Sequence, residues 1–152
     1  FDIMPDMAVF GKGMANGMPI AVYAGRADLM ETARTVGITT TFGGETLSLA
    51  AVKAVIGFYR KHKVIDHLWN TGKDLWDRAR ALIGDTPGLV IAGLDVCPRL
   101  QFDDSGLRDR FLGACYTAGL SLYDVSYVNY SHKNTDVNAT LERLAEALKT
   151  LD

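Results

Sequence analysis

A single lysine lies in a glycine-rich turn between two apolar segments, and this feature constrains the chain more than any other. The turn reads G-K-G-M-A-N-G at residues 11–17. Residues 7–10 before it and 19–24 after it are typical of short strands that end at glycines. Because burying a charged ammonium group is costly, Lys12 either extends into solvent or lies in a pocket where its amine is neutral and nucleophilic. From these residues alone, extension into solvent is the simpler interpretation.

Glycine-rich turns often bind phosphate because they let backbone amides approach an anion. A Walker A loop requires G-x-x-x-x-G-K-[ST], but Asp6 occupies the first glycine position and Gly13 follows the lysine. A dinucleotide-binding fingerprint requires G-x-G-x-x-G, and Gly13 and Gly17 are one residue too far apart for it. A nucleotide-binding domain is therefore disfavoured.

Composition excludes several other classes of protein. The 152 residues are 48% hydrophobic and carry a formal net charge of −2, which argues against a nucleic-acid-binding surface or a polybasic membrane surface. No apolar run is long enough to span a membrane. Two cysteines are too few for a disulfide framework, which indicates a reducing, cytoplasmic location. The three histidines have no metal-ligand spacing with one another or with the cysteines, so we expect no metal site.

Hydrophobic periodicity predicts two kinds of architecture in sequence. An α/β-like first part contains the two strands, a short helix at 26–34 and a helix at 47–59 that is apolar almost all round, as in a buried helix. A long amphipathic helix at 63–83 follows. The last part is α+β, with strands predicted near 89–91, 99–102 and 121–123 and helices around 107–118 and 137–151. We expect Tyr123, Tyr127 and Tyr130 to lie mainly in the core of this part.

Residues 5–26 carry a specific family resemblance. The segment P-D-M-A-V-F-G-K-G-M-A-N-G-M-P-I-A-V-Y-A-G-R resembles the part of class III (fold type I) aminotransferases that bears the Schiff-base lysine of pyridoxal 5'-phosphate. The resemblance implies that Lys12 is both the catalytic residue and a cofactor-binding residue. It implies aminotransferase or aminomutase chemistry on an amino acid, amino aldehyde or keto-sugar substrate.

A second segment, T-F-G-G-E-T-L-S-L-A-A at 41–51, resembles the family's Thr-x-x-Gly motif. In that family the threonine binds the cofactor phosphate of the neighbouring subunit, so the resemblance implies that Thr41 binds cofactor in a homodimer with shared active sites. A hydroxyl and free amides at a helix N-terminus are compatible with a dianion. The alternative is that Thr41 or a neighbour only caps the helix. Glu45 and Thr46 replace the family's usual Asn or His followed by Pro, and we expect Glu45 to face outward.

The rest of the chain resembles the small C-terminal domain of the same family, nearest to glutamate-1-semialdehyde aminomutase-like members. The resemblance implies the end of the large cofactor-binding domain at 1–62, a linking helix at 63–84 and a small α+β domain at 85–152. The phosphate-binding turn, the ring-stacking aromatic and the carboxylate that pairs with the pyridine nitrogen are expected in sequence preceding Phe1. An enzyme fragment that is inactive alone is the leading interpretation. A catalytically silent α/β fragment, or one half of a split protein, is the alternative.

Overall fold

Two separate sets of contacts organise the chain in the computed structural model, which describes residues 2–38, 40–84 and 86–151. One unit comprises residues 1–62 and the other residues 63–152. In chain order the first unit contains β1 (Met7–Phe10), β2 (Val22–Gly25), α1 (Ala27–Thr35) and α2 (Thr46–His62). The second unit contains α3 (Val64–Ile83), β3 (Leu89–Leu94), β4 (Cys97–Phe102), α4 (Ser105–Thr117) and α5 (Asn134–Leu148).

The first unit is built on an antiparallel hairpin of β1 and β2. Phe10 pairs with Val22, so the whole lysine-bearing turn forms the connection between the two strands. The second strand begins at Val22 and not at residue 19 as predicted. Pro19 has no amide proton to give to a strand pair, and the Ile20 amide instead bonds to the Met18 carbonyl at 3.0 Å. The hairpin therefore opens into a longer loop than the sequence indicates.

Helix α2 is more exposed than its composition predicts. Among its residues only Ser48 is buried, whereas Leu47, Leu49 and Phe58 are 64%, 47% and 43% exposed. The expectation of a buried helix is therefore wrong for this chain, because no described element covers most of its apolar surface. An apolar surface of this extent is typical of a face that other protein covers.

The second unit has a continuous hydrophobic core. One stripe of α3 supplies Leu75, Trp76, Ala79 and Ile83, and α5 packs on that stripe as its periodicity predicts. The centre of α4 contributes Phe111, which is fully buried. The remaining buried members of the core come from both strands, α4, α5 and the segment between the two helices: Leu89, Ile91, Leu100, Cys115, Val128, Val137, Leu141, Leu144 and Ala147.

Strands β3 and β4 form a second antiparallel hairpin, with Leu89 opposite Phe102 and Leu94 opposite Cys97. The strand predicted at 121–123 is wrong, because those residues make no strand pairing. The chain meets β4 slightly later: the Leu100 amide bonds to the Asp124 carbonyl at 2.7 Å, and the Ser126 amide bonds to the Pro98 carbonyl at 3.2 Å. Residues 120 and 122, which suggested a strand, instead pack against the core through their side chains.

The tyrosines of this segment also differ from expectation. Tyr123 and Tyr127 are each 71% exposed, so the core position predicted for them is wrong. Val128 takes the core position in this segment. Alternating side chains along an extended chain point to opposite sides, and here the inward side carries aliphatic residues.

Both cysteines are free thiols. Cys115 is fully buried in α4, whereas Cys97 at the start of β4 is partly exposed. Burial raises the pKa of the Cys115 thiol to about 11. No helix in the described part of the chain is long and apolar enough to cross a membrane.

Gly72 provides a test of the packing between α3 and the β3–β4 turn. A Cβ atom at this buried position would overlap the backbone carbonyl of Asp95. We expect Gly72→Ala to destabilise the second unit by about 1–3 kcal/mol, the usual cost of overpacking. Gly113→Ala is the matched control, because a Cβ atom there meets nothing within 4 Å and alanine favours a helix interior by about 1 kcal/mol. Urea denaturation followed by far-UV circular dichroism measures both, and equal stability of the two variants would contradict this packing.

The raised pKa of Cys115 predicts selective thiol reactivity. Because the thiolate is the reactive form, native protein at pH 8.5 should be alkylated at Cys97 and not at Cys115. Mass spectrometry after brief iodoacetamide treatment measures this, and denatured protein should be modified at both positions. A Cys97→Ser variant should remain unmodified until it unfolds; rapid native labelling of that variant would show that Cys115 is accessible.

Candidate active site

The lysine turn is a short, hydrogen-bonded structure. After β1, residues Lys12–Met14 form one turn of 3-10 helix. The Met14 amide bonds to the Gly11 carbonyl at 3.1 Å, and the Ala15 amide bonds to the Lys12 carbonyl at 3.3 Å. Ala15 is only 3% exposed, so the turn is anchored just after the lysine. The backbone that carries Lys12 is therefore held on both sides.

Lys12 has an unusual backbone conformation and an uncommitted side chain. Its φ of 51° lies in the left-handed region, which costs a residue with a Cβ about 1–2 kcal/mol. The side chain is exposed, and within the described residues Nζ makes no hydrogen bond or ion pair. Strained backbone conformations concentrate at functional sites, where the surrounding structure holds them in place. The chain therefore presents a free primary amine from a fixed turn.

Tyr59 connects this turn to α2. Its hydroxyl lies 3.5 Å from the Gly13 carbonyl oxygen, to which it donates a long hydrogen bond. A Cβ atom built at Gly13 would lie 3.7 Å from the same hydroxyl, so the two residues are in van der Waals range. No sequence pattern predicts this contact, because the partners are 46 residues apart and neither belongs to a motif that indicates it.

Thr41 opens the turn at 41–44 that leads directly into α2. The Gly43 amide bonds to the Thr40 carbonyl at 3.0 Å, and the Glu45 amide bonds to the Phe42 carbonyl at 3.1 Å. Gly44 has a φ of 77°, which glycine adopts without strain. Thr41 is exposed, and its hydroxyl has no hydrogen-bond partner in the part of the chain that the structure describes.

Glu45, and not Thr41, caps α2. One carboxylate oxygen accepts a hydrogen bond from the Leu47 amide and the other from the Ser48 amide, each at 2.7 Å. The amides of Leu47 and Ser48 are therefore not free, contrary to the expectation for this helix end, and the outward orientation expected for Glu45 stays a prediction. The position of an acidic residue immediately before the helical pattern was a usable signal, since carboxylates are favoured at helix N-termini.

The cap holds the carboxyl group of Glu45 in its charged form. The approach of the Ser48 side chain, followed by the Ser48 and Leu47 amides, lowers the pKa of Glu45. The Ser48 hydroxyl itself is buried and has no partner with complete hydrogen-bond geometry, so the two amides make the directional contacts. Negative charge at this helix end is also favoured by the helix dipole.

The two residues predicted to bind cofactor lie on separate elements. Lys12 belongs to the hairpin connection, and Thr41 belongs to the turn before α2. Each offers a group that fits pyridoxal phosphate: an uncommitted primary amine reacts with an aldehyde, and a free hydroxyl can donate to a phosphate. The structure does not bring these two groups of one chain into contact.

The second unit has a cavity of about 350 Å³. It is lined in part by Trp76, Tyr123, Tyr127, Asn129 and His132. The Trp76 indole N–H is buried without a partner. No group of three or more histidine, cysteine or acidic residues that could hold a metal ion occurs among the residues described here. This cavity has no reactive amine and is a weaker candidate for the chemistry.

Comparisons with known proteins agree with the lysine segment. A family model described as aminotransferase class-III matches residues 1–86. Glutamate-1-semialdehyde 2,1-aminomutase of Gemmatimonas aurantiaca is 29% identical over 97% of this chain and 39% of its own length. The 4-aminobutyrate aminotransferase of Mycobacterium tuberculosis is 31% identical over 76% of this chain and 28% of its own length. The chain thus spans at most about two fifths of these curated relatives.

Solved structures show the same fold. The FumI protein of Sphingopyxis sp. MTA144, determined in the internal aldimine form of its PLP, aligns with a TM-score of 0.87 and 24% identity over 98% of this chain and 37% of that one. An S-selective transaminase from Arthrobacter sp. aligns with a TM-score of 0.85 and 12% identity over 99% of this chain and 39% of that one. These likenesses confirm the predicted fold class, that of fold type I PLP enzymes. Together with the family match, they establish that the chain belongs to the class III aminotransferase family.

Proposed function

We propose that this chain is the lysine-bearing part of a pyridoxal-phosphate-dependent aminotransferase or aminomutase. The observation that carries the proposal is the exposed amine of Lys12, unpaired within the described residues, on a hydrogen-bonded glycine-rich turn in a chain of the class III family. The relatives are named for amino-group transfer and for an aminomutase, which supports an amino acid or amino aldehyde substrate. The choice between transfer to a second molecule and transfer within one molecule stays open.

Lys12 has two roles in this proposal. Its Nζ would hold the cofactor at the aldehyde carbon, and as a free amine it would accept a proton from the substrate and return it at another position. The bound cofactor supplies an electron sink for the bond that is broken. The left-handed backbone at Lys12 and the two hydrogen bonds of its turn fix the backbone position from which the amine extends. Without that fixed position, proton transfer loses the advantage of a defined geometry.

Thr41 has a binding role, and we propose that it acts on the cofactor phosphate of a partner subunit in a homodimer. Lys12 lies beside Gly13, which Tyr59 contacts, whereas Thr41 lies just before the opposite end of the same helix. The 14 residue steps from Glu45 to Tyr59 correspond to about 21 Å along a helix. This span exceeds the length of pyridoxal phosphate, which supports a site shared between two chains.

The exposed hairpin supports assembly with further protein. Val9 is 78% exposed, Phe10 53% and Tyr23 42%, so both faces of the hairpin present apolar side chains. Isolated two-stranded hairpins are marginally stable unless a face is covered. We propose that the remaining part of a large cofactor-binding domain covers this surface and supplies the phosphate turn, the ring-stacking aromatic and the pyridine partner. The cytoplasm is the proposed location, in keeping with two free thiols.

A catalytically silent chain is the alternative. The large exposed apolar surface of the first unit favours it, because a chain that needs a covering partner can also serve only as an assembly half. Addition of pyridoxal phosphate to the assembled protein distinguishes the two functions. A new visible absorption band that borohydride abolishes supports the enzyme, and its absence supports the silent chain.

Lys12 should be the lysine that borohydride fixes to pyridoxal phosphate. Peptide mapping of the reduced, assembled protein measures the labelled position. Lys73 is a poor competitor because its hydrogen bond with Asp77 raises the pKa of its ammonium group. Lys12→Arg keeps the positive charge but removes the reactive amine, and should abolish labelling. Labelling of Lys53 or Lys63 with Lys12 unmodified would overturn the assignment.

Thr41→Ala should weaken cofactor binding while preserving the fold. Loss of one hydrogen bond to a charged group corresponds to about 1.5–3 kcal/mol. Equilibrium dialysis against pyridoxal phosphate measures the affinity, and thermal denaturation of the apoprotein measures the fold. Because Glu45 caps α2, the apoprotein should melt at an unchanged temperature. Thr135→Ala, an exposed threonine in α5, is the matched control. A stability loss without a change in affinity would assign Thr41 a purely structural role.

Mixed dimers test whether Thr41 acts across the subunit interface. Lys12→Ala and Thr41→Arg proteins should each be inactive, and subunit exchange should place an intact Lys12 and an intact Thr41 from opposite chains in one of the two sites. Partial recovery of activity is then expected, up to half of the wild-type sites in each heterodimer. No recovery in verified heterodimers would show that each chain uses its own threonine.

A further inference from the structure

The first turn of α2 is almost fully occupied by the chain itself. A helix start leaves four amides without helical partners. Here the Glu45 amide bonds to the Phe42 carbonyl, and the Leu47 and Ser48 amides bond to the Glu45 carboxylate. In the described part of the chain, only the Thr46 amide among these four has no partner. An anion that approaches this helix end therefore finds its usual donors taken.

The Glu45 carboxylate also places a negative charge at the N-terminus of α2. The contacts that lower the pKa of Glu45 keep it ionised at neutral pH. A phosphate dianion bound by Thr41 would lie near that negative charge, because Glu45 follows Thr41 by four positions in the chain. The helix dipole, which ordinarily attracts an anion, is here compensated by a group that belongs to the protein.

The turn at 41–44 before α2 has unpaired hydrogen-bond donors in the described part of the chain, whereas the first turn of the helix has almost none. The backbone amides of Thr41, Phe42 and Gly44 donate no hydrogen bond to any described residue. The Thr41 hydroxyl is equally uncommitted. A Cβ atom at Gly44 would meet nothing within 4 Å, so this side of the turn is open. The turn can therefore hold a phosphate without help from the first turn of α2.

We propose that Glu45 is a positioning residue that excludes the N-terminus of α2 from the phosphate contact and weakens cofactor retention by its charge. The inference rests on the proposed function of Thr41. In this arrangement the side chain of Glu45 adjusts the affinity for the phosphate, although it does not itself contact the cofactor. A neutral cap in the same place should leave the turn intact, free an amide and remove the repulsion.

Glu45→Asn and Glu45→Gln test this in the holoenzyme. Asparagine is among the best N-cap residues, and its single carbonyl oxygen accepts fewer amides than a carboxylate. We expect both variants to release pyridoxal phosphate about two- to fivefold more slowly, the factor that corresponds to one charge at a helix N-terminus. The measurement is the decay of the visible cofactor absorbance after dilution into an excess of a carbonyl-trapping reagent, together with the melting temperature of the apoprotein.

Two further variants serve as controls. Glu45→Asp keeps both and should release the cofactor at the wild-type rate. Asp104→Asn changes another N-cap, where Asp104 accepts a hydrogen bond from the Leu107 amide at 2.9 Å in the second unit, and should leave release unchanged. Slower release in the neutral Glu45 variants alone supports the inference. Equal or faster release in both neutral variants overturns it while the proposed function stands, and failure of the assembled wild-type protein to bind pyridoxal phosphate overturns both.

Discussion

Helix α2 sets the distance between the two candidate cofactor contacts of this chain. Glu45 fixes where the helix begins, and Tyr59 fixes where its other end meets the lysine turn. A hydrogen-bonded helix keeps a rise of about 1.5 Å per residue. This spacing supports the proposal that Lys12 and Thr41 of one chain contribute to different sites, each shared between two chains.

Sequence patterns correctly predicted the elements that depend on local residues or on a packing partner within the same unit. The apolar stripes of α3 and α5 face each other in the core. An amphipathic helix buries its apolar stripe, and each of these two helices has the other as a packing partner within the same unit. The lysine turn was recognised from consecutive residues, since G-K-G and its flanking strands carry the signal locally. Both predictions needed no knowledge of distant parts of the chain.

Patterns failed where the outcome depends on a neighbour that sequence order does not reveal. The uniformly apolar α2 predicts burial, yet Leu47 is 64% exposed because nothing described covers it. The strand expected at 121–123 moved along the chain, because β4 offers its free hydrogen-bonding edge to residues 124–128. At Glu45, the sequence predicted an outward-facing carboxylate but not that its two oxygens accept hydrogen bonds from two amides of the following helix. The sequence indicated the chemical character of these residues, but it did not indicate which residues they contact.

The unequal cores of the two units bear directly on the lysine. Ala15 and Ser48 are the buried residues described in the first unit, whereas the second has a continuous core centred on Phe111. The turn nevertheless holds Lys12 and Asn16 at positive φ, a conformation that packing does little to enforce here. Its order must come from hydrogen bonds, from the strand register and from whatever binds its amine. A ligand that binds only the ordered turn stabilises it by mass action, so under the proposed function part of the cofactor's binding free energy would be used to order the backbone that presents Lys12. By the same reasoning, a surface that covers and orders the hairpin would raise the affinity of this turn for the cofactor without contacting it.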